Sequence, residues 1–212
     1  MVRAPSARPV SDPLATALGL DRWAALQREL ILRAVAWAGE VAPDAIHVAY
    51  EPGDAGTELR ELLGSEPELF AQEGAGATDR LTNAVERAFA AGGGGPLLIV
   101  WPELPRCRPE LGAAAVADLR EGCGLSVGPV FDGGFYLLAL ARPLPALFDL
   151  PADTWRSADA MGTALVAAHS AGAEVGLLRT ERGLRSPADV AAALADPLLD
   201  AELRGLLDGG AP

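Results

Sequence analysis

Asp132-Gly133-Gly134 is where residue types and spacing in this 212-residue chain first suggest chemistry. One carboxylate stands between the apolar runs "LSVGPVF" and "FYLLAL", with Phe135 and Tyr136 directly after the glycines. An aspartate so placed could line the floor of a substrate cleft. The same residues meet a structural demand, because Asp-Gly and Gly-Gly supply the positive φ that short hairpin turns require. Both uses stay open at this level.

The other reactive groups narrow the field. All 17 basic residues are arginine, which removes Schiff-base, P-loop and lysine-clamp chemistry. His47, in the strand-like "AIHVAY", and His169, in a helical stretch, are too few for a histidine-rich metal site. Cys107 and Cys123 fit no metal or redox spacing and read as free thiols of a reducing cytosol. A formal net charge of −12 disfavours nucleic acid. No apolar run reaches the length of a membrane span, and "MVRAPSARPVSDP" lacks the apolar core of a secretory signal. A cytoplasmic protein with no membrane partner is expected.

These residues need elements to position them. Leu20 to Ala38 repeats Trp23, Leu26, Leu30, Ala34 and Trp37 at helical spacing. Ala45–Tyr50 reads as a strand, followed by a helix from Asp54 as N-cap to Leu63. "ELFAQ" is a short strand, and Thr78 or Asp79 caps a helix carrying Leu81, Val85 and Phe89. Pro96–Trp101 is a buried strand; Pro109 opens a helix to about Arg120. After the two strands around Asp132 come a helix from Asp159 to Ala171, the strand "AEVGLL", and a helix opened by Ser186-Pro187 with Asp189 in its first turn. This alternation predicts one α/β domain over residues 1–212, a mainly parallel sheet with helices on both faces. Residues 1–19 are expected to be irregular with a short first strand, and 196–212 to form a C-terminal helix and tail. Ligands of such sheets sit at the carboxyl ends of strands, which selects the loops after Val2–Ala4, after Trp101 and around Asp132.

The order of these pieces resembles the bacterial glycosyltransferase-like group with the GT-A (nucleotide-diphospho-sugar transferase) fold, which includes proteins assigned to arsenosugar biosynthesis. Its Gly-Pro-x-x-Asp-Gly-Gly-Tyr-Tyr-Leu-Leu block is similar to Gly128, Pro129, Asp132, Gly133, Gly134, Phe135, Tyr136, Leu137 and Leu138. A glutamine-rich loop and Arg-Leu helix resemble Gln72, Arg80 and Leu81; a Phe…Trp-Ser-Thr stretch resembles Phe148, Trp155 and Ser157, with Arg156 intruding. Thr-Pro-Glu-Asp-Leu resembles Ser186, Pro187, Asp189 and Val190. The resemblance implies Asp132 as the catalytic or acceptor-positioning carboxylate. It implies Arg8, Gln72, Arg80, Gly133, Gly134, Tyr136, Trp155 and Ser157 as substrate- or nucleotide-binding residues, and Glu103 as the ligand of Mg²⁺ or Mn²⁺.

Departures from the family pattern cluster where that chemistry would be done. The basic first loop has become Arg8, Pro9, Val10, Ser11, Asp12, Pro13 and Leu14, with Arg8 its one cation. The metal loop reads Trp101, Pro102, Glu103, Leu104, Pro105, and a late Asp-Val-Asp is Gly183-Leu184-Arg185. The leading expectation is therefore a protein of this fold with degenerate phosphate and metal sites, non-catalytic or serving another ligand, binding no metal as purified. The alternatives are an active transferase taking a nucleotide-sugar with Mg²⁺ or Mn²⁺ on Glu103, and a nucleotidyltransferase. A homo-oligomer or protein partner is left open.

Overall fold

The structure is a computed structural model, and it describes residues 1–7, 9, 12–151 and 154–208. Its elements run β1 (Val2–Arg3), α1 (Pro13–Leu18), α2 (Leu20–Glu40), β2 (His47–Glu51), α3 (Gly56–Leu63), β3 (Glu68–Ala71), α4 (Ala77–Ala91), β4 (Leu97–Val100), α5 (Pro109–Arg120), β5 (Leu125–Pro129), β6 (Phe135–Leu140), α6 (Pro145–Phe148), α7 (Ala160–Ser170), β7 (Val175–Leu177), α8 (Pro187–Ala195) and α9 (Ala201–Leu207). The expected α/β alternation holds.

Strands pair as β1-β2-β3 and as β4-β6-β5-β7. The first ladder is parallel throughout, and β5 pairs in parallel with β7. The exception is β6, antiparallel to both β4 and β5. The two ladders meet where the Met1 amine donates to the Val100 carbonyl, 3.0 Å away. Two helices brace that junction. Ile31 of α2 packs with Val2 and Val48, while Trp37 of the same helix packs with Tyr136 and Ala139. From α4, Ala84 meets Ala49 and Phe70, and Leu81, Val85 and Phe89 join the core of β4, β5 and β6.

Every residue of β6 is buried, the apolar signature of a strand covered on both faces. Its register against β5 slips: Gly128 pairs with Leu137, but Pro129 pairs with Phe135. Tyr136 is the extra residue of this bulge. Consequently Tyr136 and Leu137 share one core cluster, while Phe135 and Leu138 share another.

Local chemistry explains most boundaries. Pro109 and Pro187 occupy the first turns of α5 and α8, where a missing N–H costs nothing. Ser186 and Asp189 form a reciprocal cap at the start of α8. Three starts differ from expectation. Asp54 caps nothing: the turn closed by Ala55 N–H on the Pro52 carbonyl (3.1 Å) intervenes before α3. Thr78 and Asp79 lie inside α4, and the Asp79 carboxylate accepts the N–H of Gly76 (3.2 Å) from one turn within. The third is α1, in the stretch expected to be irregular. Asp12 nucleates it by accepting the N–H groups of Leu14 (2.8 Å) and Ala15 (3.2 Å), and it also takes the Trp23 indole N–H (3.0 Å). Leu14 and Ala15 then pack with α2, α8 and α9 in a separate helical cluster.

Candidate functional site

Strand direction gathers the site. Because β4 and β5 both oppose β6, they run the same way, and β7 is parallel to β5. The loops after β4, β5 and β7 therefore leave one edge of the sheet, bearing Glu103, Asp132 and Arg185 respectively. Backbone bonds stitch these loops together. Leu184 N–H donates to the Glu103 carbonyl (2.7 Å), Phe131 N–H to Glu181 (3.2 Å), and Glu181 N–H to Pro129 (3.0 Å).

Arg185 spans the two carboxylates. Its Nε pairs with Glu103 Oε2, and its Nη1 donates to both oxygens of Asp132, at 3.0 and 3.2 Å. Burial pushes the Glu103 carboxyl above its usual range, against the opposing pull of Arg185. Burial likewise works against charge on Arg185, but Glu103 and then Asp132 hold its guanidinium above the ordinary value.

Asp132 is the exposed corner of the hairpin, and its Oδ1 accepts the Gly134 N–H (3.3 Å). The two glycines are held differently by their neighbours. Gly133 has φ +92°, and a Cβ there would lie 2.0 Å from the Ala158 carbonyl oxygen. At Gly134, a Cβ would lie 2.6 Å from Arg185 Nη1, so a side chain there would displace the guanidinium from its present path to Asp132.

The other predicted residues are engaged elsewhere. Gln72 donates through Nε2 to the Ala49 carbonyl (3.1 Å), at the ends of the β1–β3 ladder. Nearby, Arg80 lies 3.4 Å from Glu51, which Arg3 also holds at 2.8 Å. Tyr136 is 1% exposed, its ring lies against Gly128, and its hydroxyl donates to the Arg179 carbonyl (3.2 Å). Burial raises its pKa above the usual phenol value. Trp155 stacks on Phe148 (6.1 Å, 18°) and meets Phe135 edge-on (6.1 Å). Ser157 builds a turn by donating to the Thr154 carbonyl (3.0 Å) and accepting Asp159 N–H (3.2 Å). Arg8, Val10 and Ser11 lie outside the described residues. Of the residues singled out for chemistry, the fold thus joins Glu103 and Asp132 through Arg185, with Gly134 beside them.

These donors do not suit a divalent cation. Mg²⁺ and Mn²⁺ need several free oxygens in a compact shell, and here two carboxylates already share one guanidinium. Among the described residues, no group of three His, Cys, Asp or Glu side chains is arranged to hold a metal ion. The first loop is similarly occupied. The amides that open α1 already receive the Asp12 carboxylate, the place an anionic ligand would take. Arg185 as the partner of both acids was not foreseen; its replacement of an acidic position was the available signal.

Residues 33–151 match the family model described as an uncharacterized protein conserved in bacteria (DUF2064). No curated protein matches the chain. Among solved structures, a candidate nucleotide-diphospho-sugar transferase from Desulfovibrio desulfuricans superposes with a TM-score of 0.82 at 24% identity, covering 98% of this chain and 91% of that one. The architecture is thus the nucleotide-diphospho-sugar transferase fold. No helix among the described residues is long and apolar enough to cross a membrane.

Proposed function

The chain belongs to the DUF2064 family of proteins conserved in bacteria, and from the geometry of its site we propose a function. It is a protein of the nucleotide-diphospho-sugar transferase fold that has given up metal-assisted sugar transfer, and it acts as a non-catalytic or altered-ligand member. One observation carries this reading: Arg185 bridges Glu103 and Asp132 where a cation would have to sit.

In metal-assisted transfer the cation neutralises a leaving diphosphate. Arg185 is no equivalent, because its charge is already matched by two acids. With both carboxylates ionised the trio is net negative, and Asp12 adds its field at Glu103. A diphosphate brought to this edge meets repulsion rather than a clamp. The Asp132 hairpin has a packing reason independent of catalysis, because Gly133 fits against the Ala158 backbone at a positive φ.

Water-proton relaxation with Mn²⁺, in the presence and absence of a panel of UDP-sugars, tests the proposal. The expected result is no stoichiometric Mn²⁺ binding. A one-to-one signal in the parent that vanishes in Glu103→Gln would overturn it in favour of an active sugar transferase.

A further inference from the structure

The loops that carry Glu103 and Arg185 also help to line a cavity of about 220 Å³. It is lined by Leu104 and Leu184, the neighbours of Glu103 and Arg185, and by three arginines: Arg106, Arg108 and Arg182. Three acids also line it, and each is already satisfied. Glu181 pairs with Arg179 at 2.7 Å, from outside the lining. Asp189 takes Arg182 (2.8 Å), the Ser186 hydroxyl (2.8 Å) and the Ser186 N–H (3.0 Å). Asp196 takes the Leu198 N–H (2.9 Å) and Arg106 (3.4 Å).

Arg108 is left over. Among the described residues its side chain forms no ion pair, and its Nε is fully buried without an acceptor. The Nε has no accessible surface, so an acceptor entering the cavity would meet the other guanidinium nitrogens of this half-buried side chain, which take no hydrogen bond or ion pair among the described residues. Its backbone is fixed for that task. The Arg108 carbonyl accepts the Trp37 indole N–H (2.7 Å) and the Leu111 N–H (3.0 Å), which anchors the residue at the start of α5.

We infer that this cavity is a binding site for a small organic oxyanion, with Arg108 as its principal anchor and Arg106 as a second donor. Each lining acid is ion-paired with an arginine other than Arg108, so Arg108, whose charge reaches Asp196 only through space, is the lining guanidinium with capacity for an anion. The size fits as well: the volume falls below the range of about 300–1,000 Å³ common for drug-sized ligands. A phosphorylated or carboxylated molecule of a few carbons would fill it, and a nucleotide-sugar would not. This goes beyond the proposed function, because the site lies outside the Glu103–Arg185–Asp132 trio and does not depend on its chemistry.

Isothermal titration with inorganic phosphate, glycerol 3-phosphate, malonate and uncharged glycerol tests the inference. Phosphate and glycerol 3-phosphate binding, or malonate binding, supports the site and tells which oxyanion it takes; glycerol should not bind. Arg108→Ala should weaken binding at least tenfold while the circular-dichroism spectrum is unchanged, and Arg108→Lys should restore part of it. If Arg108→Ala does not fold, Arg108→Lys and Arg106→Ala carry the test, each expected to weaken binding several-fold. Absence of saturable binding to the parent at millimolar anion, affinity equal to that for glycerol, or affinity indifferent to position 108 would overturn the inference.

Discussion

Replacing Arg185 by Met keeps the aliphatic stem and removes the charge that bridges two loops. The side chains of Arg185, Glu103 and Asp132 are 29%, 32% and 48% exposed, so neither pair is worth a fully buried interaction. The contact to half-exposed Asp132 contributes about 0.5 kcal/mol. The charge-assisted contact to Glu103 contributes about 1.5 kcal/mol after allowance for solvent. A loss of about 2 kcal/mol corresponds to a fall in Tm of roughly 4–8 °C for a chain of this length. The pH dependence gives a second, sharper readout. Burial holds Glu103 above its usual value of 4.5, so folding favours the protonated carboxyl. That contribution is complete below the unfolded pKa and is lost as pH rises through the folded one. Removing Arg185 withdraws the main force opposing the shift, so the penalty should shrink as pH is lowered toward about 4.5. With its guanidinium gone, the carboxylate pair should also show a larger Mn²⁺-dependent stabilisation than the parent. Thermal melts at several pH values, with and without Mn²⁺, read all three effects. An unchanged Tm, a penalty that grows in acid, or equal Mn²⁺ stabilisation of parent and variant would refute the reasoning.

Other changes follow from the same geometry. Gly133→Ala sets a Cβ 2.0 Å from a backbone carbonyl at φ +92°, and should cost about 3 kcal/mol or more in chemical denaturation. Asp12→Ala loses the α1 cap and the Trp23 partner together, and should cost about 1–2 kcal/mol with altered tryptophan fluorescence. Burial opposes ionisation of Asp189, but Ser186, Arg182 and the Arg185 N–H hold its carboxyl below the usual 3.8. The stability it supplies is present above 3.8 and is lost as pH falls through the folded pKa, so Asp189→Asn should flatten the acid limb below about pH 4 in urea melts.

What the sequence determined by itself was whatever near neighbours control. The Pro109 and Ser186-Pro187 starts, the 3.6-residue repeat of α2 and the Asp-Gly turn between apolar runs act over a few residues, and α2, α5, α8 and the Asp132 hairpin formed as read. The sheet-edge position of Glu103 and Asp132 also follows from strand alternation and the strand-end rule. Tertiary structure decided how the side chains are used. Asp12 looked like an acid intruding on a phosphate loop; its worth lies in capping α1 and holding Trp23, which required α1 and α2 to pack. Tyr136 looked like a cleft residue, until a one-residue bulge turned it onto Gly128. Arg185 reaches Glu103 across 82 positions and Asp132 across 53. Contacts at that range depend on where three loops leave a folded sheet, and no local period or cap encodes that meeting.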